Sequence, residues 1–192
     1  ALIPSDIKIY PALRKEVASL GSRPISFGKR NSPNYKIVNS RVISNVSKAS
    51  ILLPKGKKFS FSLGAFGEHH VRNASSIIAL LCLMNLRLER SIPILSSWSP
   101  LKGRGERLDI IFYKSGKKVR FTIIDESYNA NPASINSALD TLIKIEQIEE
   151  GKIGTIKKKN RRIAVLGDML ELGRNETREH IKIKNFQALF VI

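Results

Sequence analysis

Apolar residues recur at helical spacing in two segments of the N-terminal half. One set, at steps of four, four and three, comprises Ile9, Leu13, Val17 and Leu20. Because Pro11 stands near its start and Gly21 just after its end, this spacing predicts an amphipathic helix over residues 9–20. A second set shares one helical face and predicts a helix over residues 70–86. Its members are Val71, Ala74, Ile77, Ile78, Leu81 and Met84.

Between these two helices the pattern changes to short runs of β-branched and aromatic residues. Gly, Asn, Pro and Ser separate the runs, which is typical of strands joined by tight turns. The predicted strands cover residues 24–27, 35–44, 50–53 and 59–63. The sequence LPKGKK at 53–58 predicts a hairpin turn.

The segment 91–105 is rich in Pro, Gly and Ser, so we expect a domain boundary there. The predicted domains are residues 1–99 and 100–192. Strands are predicted over 108–113 and 119–125, with Ser115 and Gly116 in the tight turn between them.

A helix should follow these strands, because Asn131 suits an N-cap and Pro132 suits the first helical position. Its predicted buried stripe comprises Ile135, Leu139, Leu142 and Ile143. The basic segment 149–162 is expected to be a solvated loop.

The last part of the chain alternates between strand and helix patterns. Residues 163–166 form a short apolar run that ends at Gly167, a helix is predicted over 177–187, and 189–192 form a last apolar run. This order indicates a right-handed βαβ arrangement and an α/β fold. Because the chain ends on the pattern of a core strand, we expect it to be truncated.

Charge and composition limit the classes of function. The chain has 33 Lys and Arg against 16 Asp and Glu, a net charge of +17 that favours anionic partners. The longest apolar run, residues 77–84, is far shorter than the ~20 residues of a membrane-spanning helix. The single cysteine, Cys82, excludes an internal disulfide, so we expect a buried thiol and a cytoplasmic location.

Three segments combine polar side chains with an element end. DESYNANPAS at 125–134 joins a strand to a helix and is either a ligand-binding loop or a turn with a capping Asn. GDMLELG at 167–173 follows the next strand, which would bring Asp168 and Glu171 to the same sheet edge. GEHHVRN at 67–73 opens a helix, but its histidines lack a carboxylate at a ligand spacing, so no metal site is predicted.

Two glycine-containing segments do not match nucleotide-binding motifs. Six residues separate Gly21 from Gly28, instead of the four of a phosphate loop, and no Ser or Thr follows Lys29. Residues 103–105, Gly-Arg-Gly, lack the third glycine of a dinucleotide fingerprint and are expected to form a flexible hinge.

The polar segments together resemble the MurF-type Mur ligases. IIDESYNANPASINSAL at 123–139 and RRIAVLGDMLELG at 161–173, followed by His180, carry the resemblance. GEHHVRNASSIIAL at 67–80, PLKGRGERL at 100–108 and ALRKEVASLGSRPISFG at 12–28 occur in the order of that family. The resemblance implies that residues 1–99 are part of a central ATP-binding domain. Residues 100–192 would then begin a Rossmann-like C-terminal domain.

The resemblance implies a step of peptidoglycan synthesis, and hence a role in cell-wall biogenesis, cell shape and division. ATP, with magnesium, would phosphorylate the carboxyl of UDP-N-acetylmuramoyl-tripeptide, and the amine of D-alanyl-D-alanine would attack the acyl phosphate. From the positions that match the family's motifs, Asn73 would contact the adenine and Arg104 would contact the phosphates or the ribose of ATP. Glu126 would bind the ribose hydroxyl groups. On the dipeptide side the corresponding residues are Tyr128, Asn129 and Asn131.

The sequence also departs from the family. Glu126 replaces the usual Asp, and Pro4 and Ile7 stand where polar residues are common. The family's phosphate loop and magnesium ligands have no counterpart, so no catalytic or metal-binding residue is assigned and the chain alone is expected to be inactive.

Two alternatives remain open. One is a basic nucleic-acid-binding module, although the Lys157–Arg162 run has no interleaved aromatic residue and implies only nonspecific binding. The other is a fragment that a second polypeptide completes.

Overall fold

The computed structural model describes residues 1–43, 46–65, 67–144, 162–183 and 189–191. The chain divides into two compact units, Ala1–Trp98 and Ser99–Ile192. This division falls inside the predicted boundary segment 91–105. The assignment of the two parts to a central and a C-terminal domain stays a prediction.

A five-stranded mixed sheet forms the framework of the first unit. Its strands follow chain order and are β1 (Leu2–Pro4), β2 (Ile25–Gly28), β3 (Tyr35–Ile43), β4 (Val46–Leu52) and β5 (Lys58–Leu63). β1, β2 and β3 are parallel, whereas β3, β4 and β5 are antiparallel. A 3-10 turn at Pro54–Gly56 joins β4 to β5 at the predicted hairpin turn, and the positive φ of 70° at Lys55 makes the chain reverse.

Three helices accompany this sheet: α1 (Tyr10–Ser19), α2 (Glu68–Leu83) and α3 (Leu88–Ser97). The first two were expected. The sequence did not predict the third, which overlaps the Pro- and Ser-containing segment 91–105 in which the boundary was expected. Although Pro93 lies inside α3 and removes one backbone donor, the half-buried Ile92 and Leu95 pack against the core and keep the segment helical.

The core of the first unit lies between α2 and the sheet. Ile51 of β4 and Ile78 of α2 are fully buried at its centre. Two predicted stripes are partly wrong: Ile9 and Leu20 of the first, and Ile77 and Met84 of the second, are exposed. The buried face of α2 instead comprises His70, Val71, Ala74, Ser75, Ile78 and Ala79.

The second unit contains two separate small sheets in its described part. β6 (Glu106–Lys114) and β7 (Lys117–Asp125) form an antiparallel hairpin, and β8 (Ala164–Leu166) is parallel to β9 (Leu189–Val191). Ser115 and Gly116 have φ of 49° and 72°, the positive values that the predicted tight turn requires.

A single sheet edge shared by the loops after β7 and β8 was expected, and this is wrong for the described residues. β7 pairs with β6 along nine positions, and no described residue of β7 pairs with β8. A two-residue turn joins β6 directly to β7, so pairing between these neighbours in the chain is favoured over parallel pairing of β7 with the distant β8.

Two helices complete the second unit: α4 (Pro132–Lys144) and α5 (Glu176–Ile181). α4 buries Ile135 and Leu139 against Ala164 and Met169, whereas the predicted stripe residue Ile143 is 51% exposed. The predicted loop 149–162 lies outside the described residues except for Arg162. Residues 184–187 of the predicted helix, and Ile192, also lie outside them. None of the described helices is long and apolar enough to cross a membrane.

Candidate functional site

The loop between β7 and α4 is shaped by its own polar side chains. Asn131 caps α4, because its Oδ1 accepts the backbone N–H groups of Ala133 and Ser134 at 3.0 and 2.9 Å. The Asn131 N–H donates to Ser134 Oγ at 3.0 Å. Asn129 Oδ1 accepts the N–H of Ala130 at 2.8 Å. The expectation of a turn with a capping Asn is therefore confirmed, and the amide oxygens of two predicted dipeptide-side residues hold this turn.

A second turn docks on this loop. Gly103 and Gly105 are buried, and the Gly103 carbonyl accepts the N–H of Tyr128 at 3.0 Å. The Gly105 N–H donates to the carbonyl of Asp125 at 2.8 Å. These hydrogen bonds fix residues 103–105 against the end of β7. The segment was expected to be a flexible hinge, but it forms a turn that is hydrogen-bonded at both glycines.

This docking brings two predicted site residues into contact. The Arg104 guanidinium carbon lies 4.0 Å from the centroid of the Tyr128 ring, a cation–π contact. Tyr128 is 66% exposed and Arg104 is also exposed. The stacked pair therefore presents a preoriented positive charge to solvent beside the Asp125–Ser127 backbone.

The two carboxyl groups at the end of β7 have opposite pKa shifts. A hydrogen bond from the Ser127 hydroxyl, followed by one from the Ser127 backbone, lowers the pKa of Asp125. Burial, followed by repulsion from Asp125, raises the pKa of Glu126. Ionisation is thus made easier at Asp125 and harder at Glu126.

This difference predicts opposite effects of two amide substitutions on stability. The unfolded chain ionises Glu126 first, so stability is lost as the pH rises from the ordinary pKa of 4.5 toward the raised folded pKa. We expect Glu126→Gln to be more stable than the wild type at pH 7 but not at pH 4, measured by urea unfolding. The matched Asp125→Asn should be less stable at pH 7; equal effects of both substitutions would contradict the assignment.

The third predicted nucleotide-binding residue lies in the first unit. Asn73 is exposed on α2, one residue after Arg72, whose Nε lies 3.8 Å from the carboxylate of Asp6. Asp6 also accepts the N–H groups of Lys29 and Arg30 at 3.0 and 2.7 Å. This network fixes the start of α2 against the ends of β1 and β2, and so positions Asn73.

The histidines at the start of α2 have different surroundings. The ring centroids of His69 and His70 are 3.9 Å apart, and Trp98 contacts His70 edge-on at 5.4 Å. His70 is 8% exposed, and its Nε2 has no hydrogen-bond partner among the described residues. Burial, followed by repulsion from His69, lowers the pKa of His70 to about 4.

Asp168, Glu176 and His180 form a cluster that the sequence did not reveal. Each offers one atom that could bind a metal ion, and these three atoms lie within 4.8 Å of one another. The i, i+4 spacing of the last two was the available signal. His180 Nε2 lies 2.8 Å from Asp168 Oδ1 and accepts the N–H of Met169 at 3.1 Å. Because Nδ1 also contacts the Glu176 carbonyl at 2.9 Å, both ring nitrogens are used to hold the loop after β8 on α5.

Magnesium, which the sequence resemblance implies, prefers carboxylate oxygens in an octahedral arrangement. Near Asn73, however, Asp6 is occupied by backbone N–H groups, and Glu68 pairs with Lys29 at 2.8 Å. The described residues of the first unit therefore do not fit a magnesium site.

No protein-family model matches the chain. The UDP-N-acetylmuramoyl-tripeptide–D-alanyl-D-alanine ligase of Bacillus subtilis is 36% identical over 126 residues, which are 66% of this chain and 24% of that protein. The ligase of the same name from Buchnera aphidicola is 29% identical over 194 residues, covering 93% of this chain and 38% of that protein.

A solved structure decides the fold. The MurF ligase of Thermotoga maritima, in complex with ADP, covers 100% of this chain at a TM-score of 0.72 and 19% identity. The chain has the Mur ligase fold. The expected α/β class and the resemblance to MurF-type ligases are confirmed. The chain spans 24% and 38% of the lengths of the two curated relatives and 40% of the solved chain.

Proposed function

We propose that this chain forms part of a cytoplasmic ATP-dependent ligase that joins D-alanyl-D-alanine to UDP-N-acetylmuramoyl-tripeptide. The observation that carries this proposal is the stacked Arg104–Tyr128 pair, fixed by Gly103 in the loop that also contains Glu126. Relatives with that ligase name and a similar chain solved with ADP support it.

In the proposed reaction, a tripeptide carboxylate oxygen attacks the γ-phosphorus of ATP, which releases ADP and forms an acyl phosphate. The dipeptide amine then attacks the acyl carbon, phosphate leaves, and the nitrogen loses a proton as the amide forms. Both steps develop negative charge on oxygen, which fixed cations stabilise.

The proposed roles follow the chemistry of each side chain. The Arg104 guanidinium, held over the Tyr128 ring, donates to nucleotide oxygens, and Glu126 accepts from the ribose hydroxyl groups. Asn73 pairs with the edge of the adenine. Tyr128, Asn129 and Asn131 form the side of the loop that the dipeptide approaches.

Magnesium would neutralise phosphate charge in the ligase reaction, but the described residues of the first unit do not fit its ligand set. We therefore expect this chain alone to bind nucleotide without turning it over. ATP hydrolysis above the rate of a protein-free sample would contradict this expectation.

The binding proposal is tested by titrating the purified chain with ADP in a calorimeter at physiological salt. We expect a micromolar to millimolar Kd. We expect Asn73→Ala, Arg104→Ala and Glu126→Ala each to weaken binding by about tenfold, the value of one good polar contact. As controls, Arg120→Ala and Glu179→Ala remove the same charges elsewhere in the second unit, the first from an exposed side chain and the second from a half-buried one. Absence of ADP binding, or equal losses in the controls, would overturn the proposed roles.

A further inference from the structure

More than half of the net positive charge of this protein lies in one stretch of the first unit. Residues 17–67 contain nine Lys and Arg and no Asp or Glu. This stretch supplies β2 to β5. The proposed nucleotide-binding residues Asn73, Arg104 and Glu126 lie outside it, so the proposed function does not account for this charge.

Strand register gathers part of this charge on the outer face of the sheet. Arg41 of β3 lies directly opposite Lys48 of β4, and Lys48 lies opposite Ser62 of β5. The neighbouring outward row comprises Asn39, Ser50 and Ser60. The alternate residues Ala49, Ile51, Phe61 and Leu63 point into the core.

These outward residues line a groove of about 440 Å³, which Ile92, Pro93 and Ser96 of α3 border on one side. Its polar surface offers two cations, the amide of Asn39 and a pair of hydroxyl groups, Ser50 Oγ and Ser60 Oγ, 2.9 Å apart. Among the described residues that line it, none is acidic.

Two like charges directly opposite each other on antiparallel strands destabilise a sheet. Neither Arg41 nor Lys48 has a carboxylate partner among the described residues. An anion seated between them would remove this repulsion and would find hydroxyl and amide donors around it. These are the donors that phosphate oxygens accept from.

The surface also limits the class of ligand. Phe61 is the one aromatic residue that lines the described groove, and it is 5% exposed, so no ring is available for a base to stack on. We propose that the outer groove of β3–β5 binds the phosphate group of a phosphorylated small molecule. None of the residues that line this groove is among those proposed to bind the adenosine part of ATP.

The first test titrates the full chain with inorganic pyrophosphate at constant ionic strength and follows binding by calorimetry. We expect Arg41→Ala and Lys48→Ala each to weaken binding about three- to tenfold, the range for a partly exposed charged contact. Lys58→Ala is the matched control, because Lys58 is an exposed cation of β5 that does not line the groove. An equal loss in Lys58→Ala would show general attraction by a basic protein and would overturn the proposal.

The second test uses the like-charge pair itself. Lys48→Glu places a carboxylate opposite Arg41, so we expect a higher Tm than the wild type without ligand. We also expect the Tm increase that pyrophosphate gives the wild type to disappear. A lower Tm together with an unchanged pyrophosphate effect would overturn the assignment of the groove.

A third test distinguishes a phosphorylated small molecule from a nucleic acid as the ligand. A single-stranded oligonucleotide should bind no more tightly per phosphate than pyrophosphate, and its binding should be insensitive to Lys48→Ala. Tighter oligonucleotide binding that depends on Arg41 and Lys48 would identify a nucleic-acid surface and overturn the small-molecule proposal. ADP titrations of the Lys48→Ala variant keep this result distinct from the proposed ligase function, because Lys48 has no role there.

Discussion

Gly103→Ala is expected to destabilise the second unit by about 2–3 kcal/mol and to release its turn from the loop that carries Tyr128. Gly103 has a φ of 74°, a conformation that costs other residues about 1 kcal/mol or more. An added Cβ would also lie 2.9 Å from Tyr128 Cβ and 3.0 Å from the Tyr128 nitrogen. The Tyr128 backbone would have to move, so Arg104 would lose its stacking partner.

Gly116→Ala is the matched control for this prediction. Gly116 has nearly the same φ, 72°, but a Cβ there would have nothing within 4 Å. Gly116→Ala should therefore lower the free energy of unfolding only by the cost of a positive φ, about 1 kcal/mol. Amide hydrogen exchange at Tyr128 measures the local effect, and urea unfolding measures the global one. Equal destabilisation by both substitutions would mean that the contact with Tyr128 does not hold the turn.

Acidification is expected to destabilise the first unit through His70. The pKa of His70 is about 4 in the fold and 6.5 ordinarily, so the unfolded chain takes up its proton first as the pH falls. The contribution of the neutral His70 side chain to the free energy of unfolding is therefore fully present above pH 6.5, and it is lost progressively between pH 6.5 and about 4. The expected loss is about 2–3 kcal/mol.

Trp98 is the single tryptophan of the chain and contacts His70, so its fluorescence reports this transition selectively. We expect the free energy of unfolding of the wild type to fall over that pH range. His70→Leu keeps a side chain in the buried position of His70 but cannot be protonated. Most of the decrease in the free energy of unfolding should therefore be absent in this variant. An identical pH dependence in the two proteins would show that His70 is not the responsible group.

Local signals in the sequence were sufficient for several elements. The Asn131–Pro132 pair predicted the start of α4, and Ser115–Gly116 predicted the β6–β7 turn, because caps and tight turns depend on a few neighbouring residues. The motifs in the 123–139 and 161–173 segments also indicated the resemblance to MurF-type ligases, and a solved MurF ligase has the same fold.

Other features depended on contacts between distant residues. α3 forms in spite of Pro93 because Ile92 and Leu95 reach the core, and β1 is too short at three residues to give a periodic pattern. The sequence predicted the chemistry of Arg104 and Tyr128 but not their contact, which arises when the 103–105 turn docks on the end of β7.

The sequence by itself therefore determined the fold class, the family resemblance and the main turns of this protein. Only the tertiary structure decided which apolar faces are buried, that His70 is enclosed, and that Arg41 and Lys48 are opposite each other. The physical reason is range: capping and turn preferences act over a few residues, whereas burial, pKa shifts and cross-strand charge pairs depend on residues that only folding brings together.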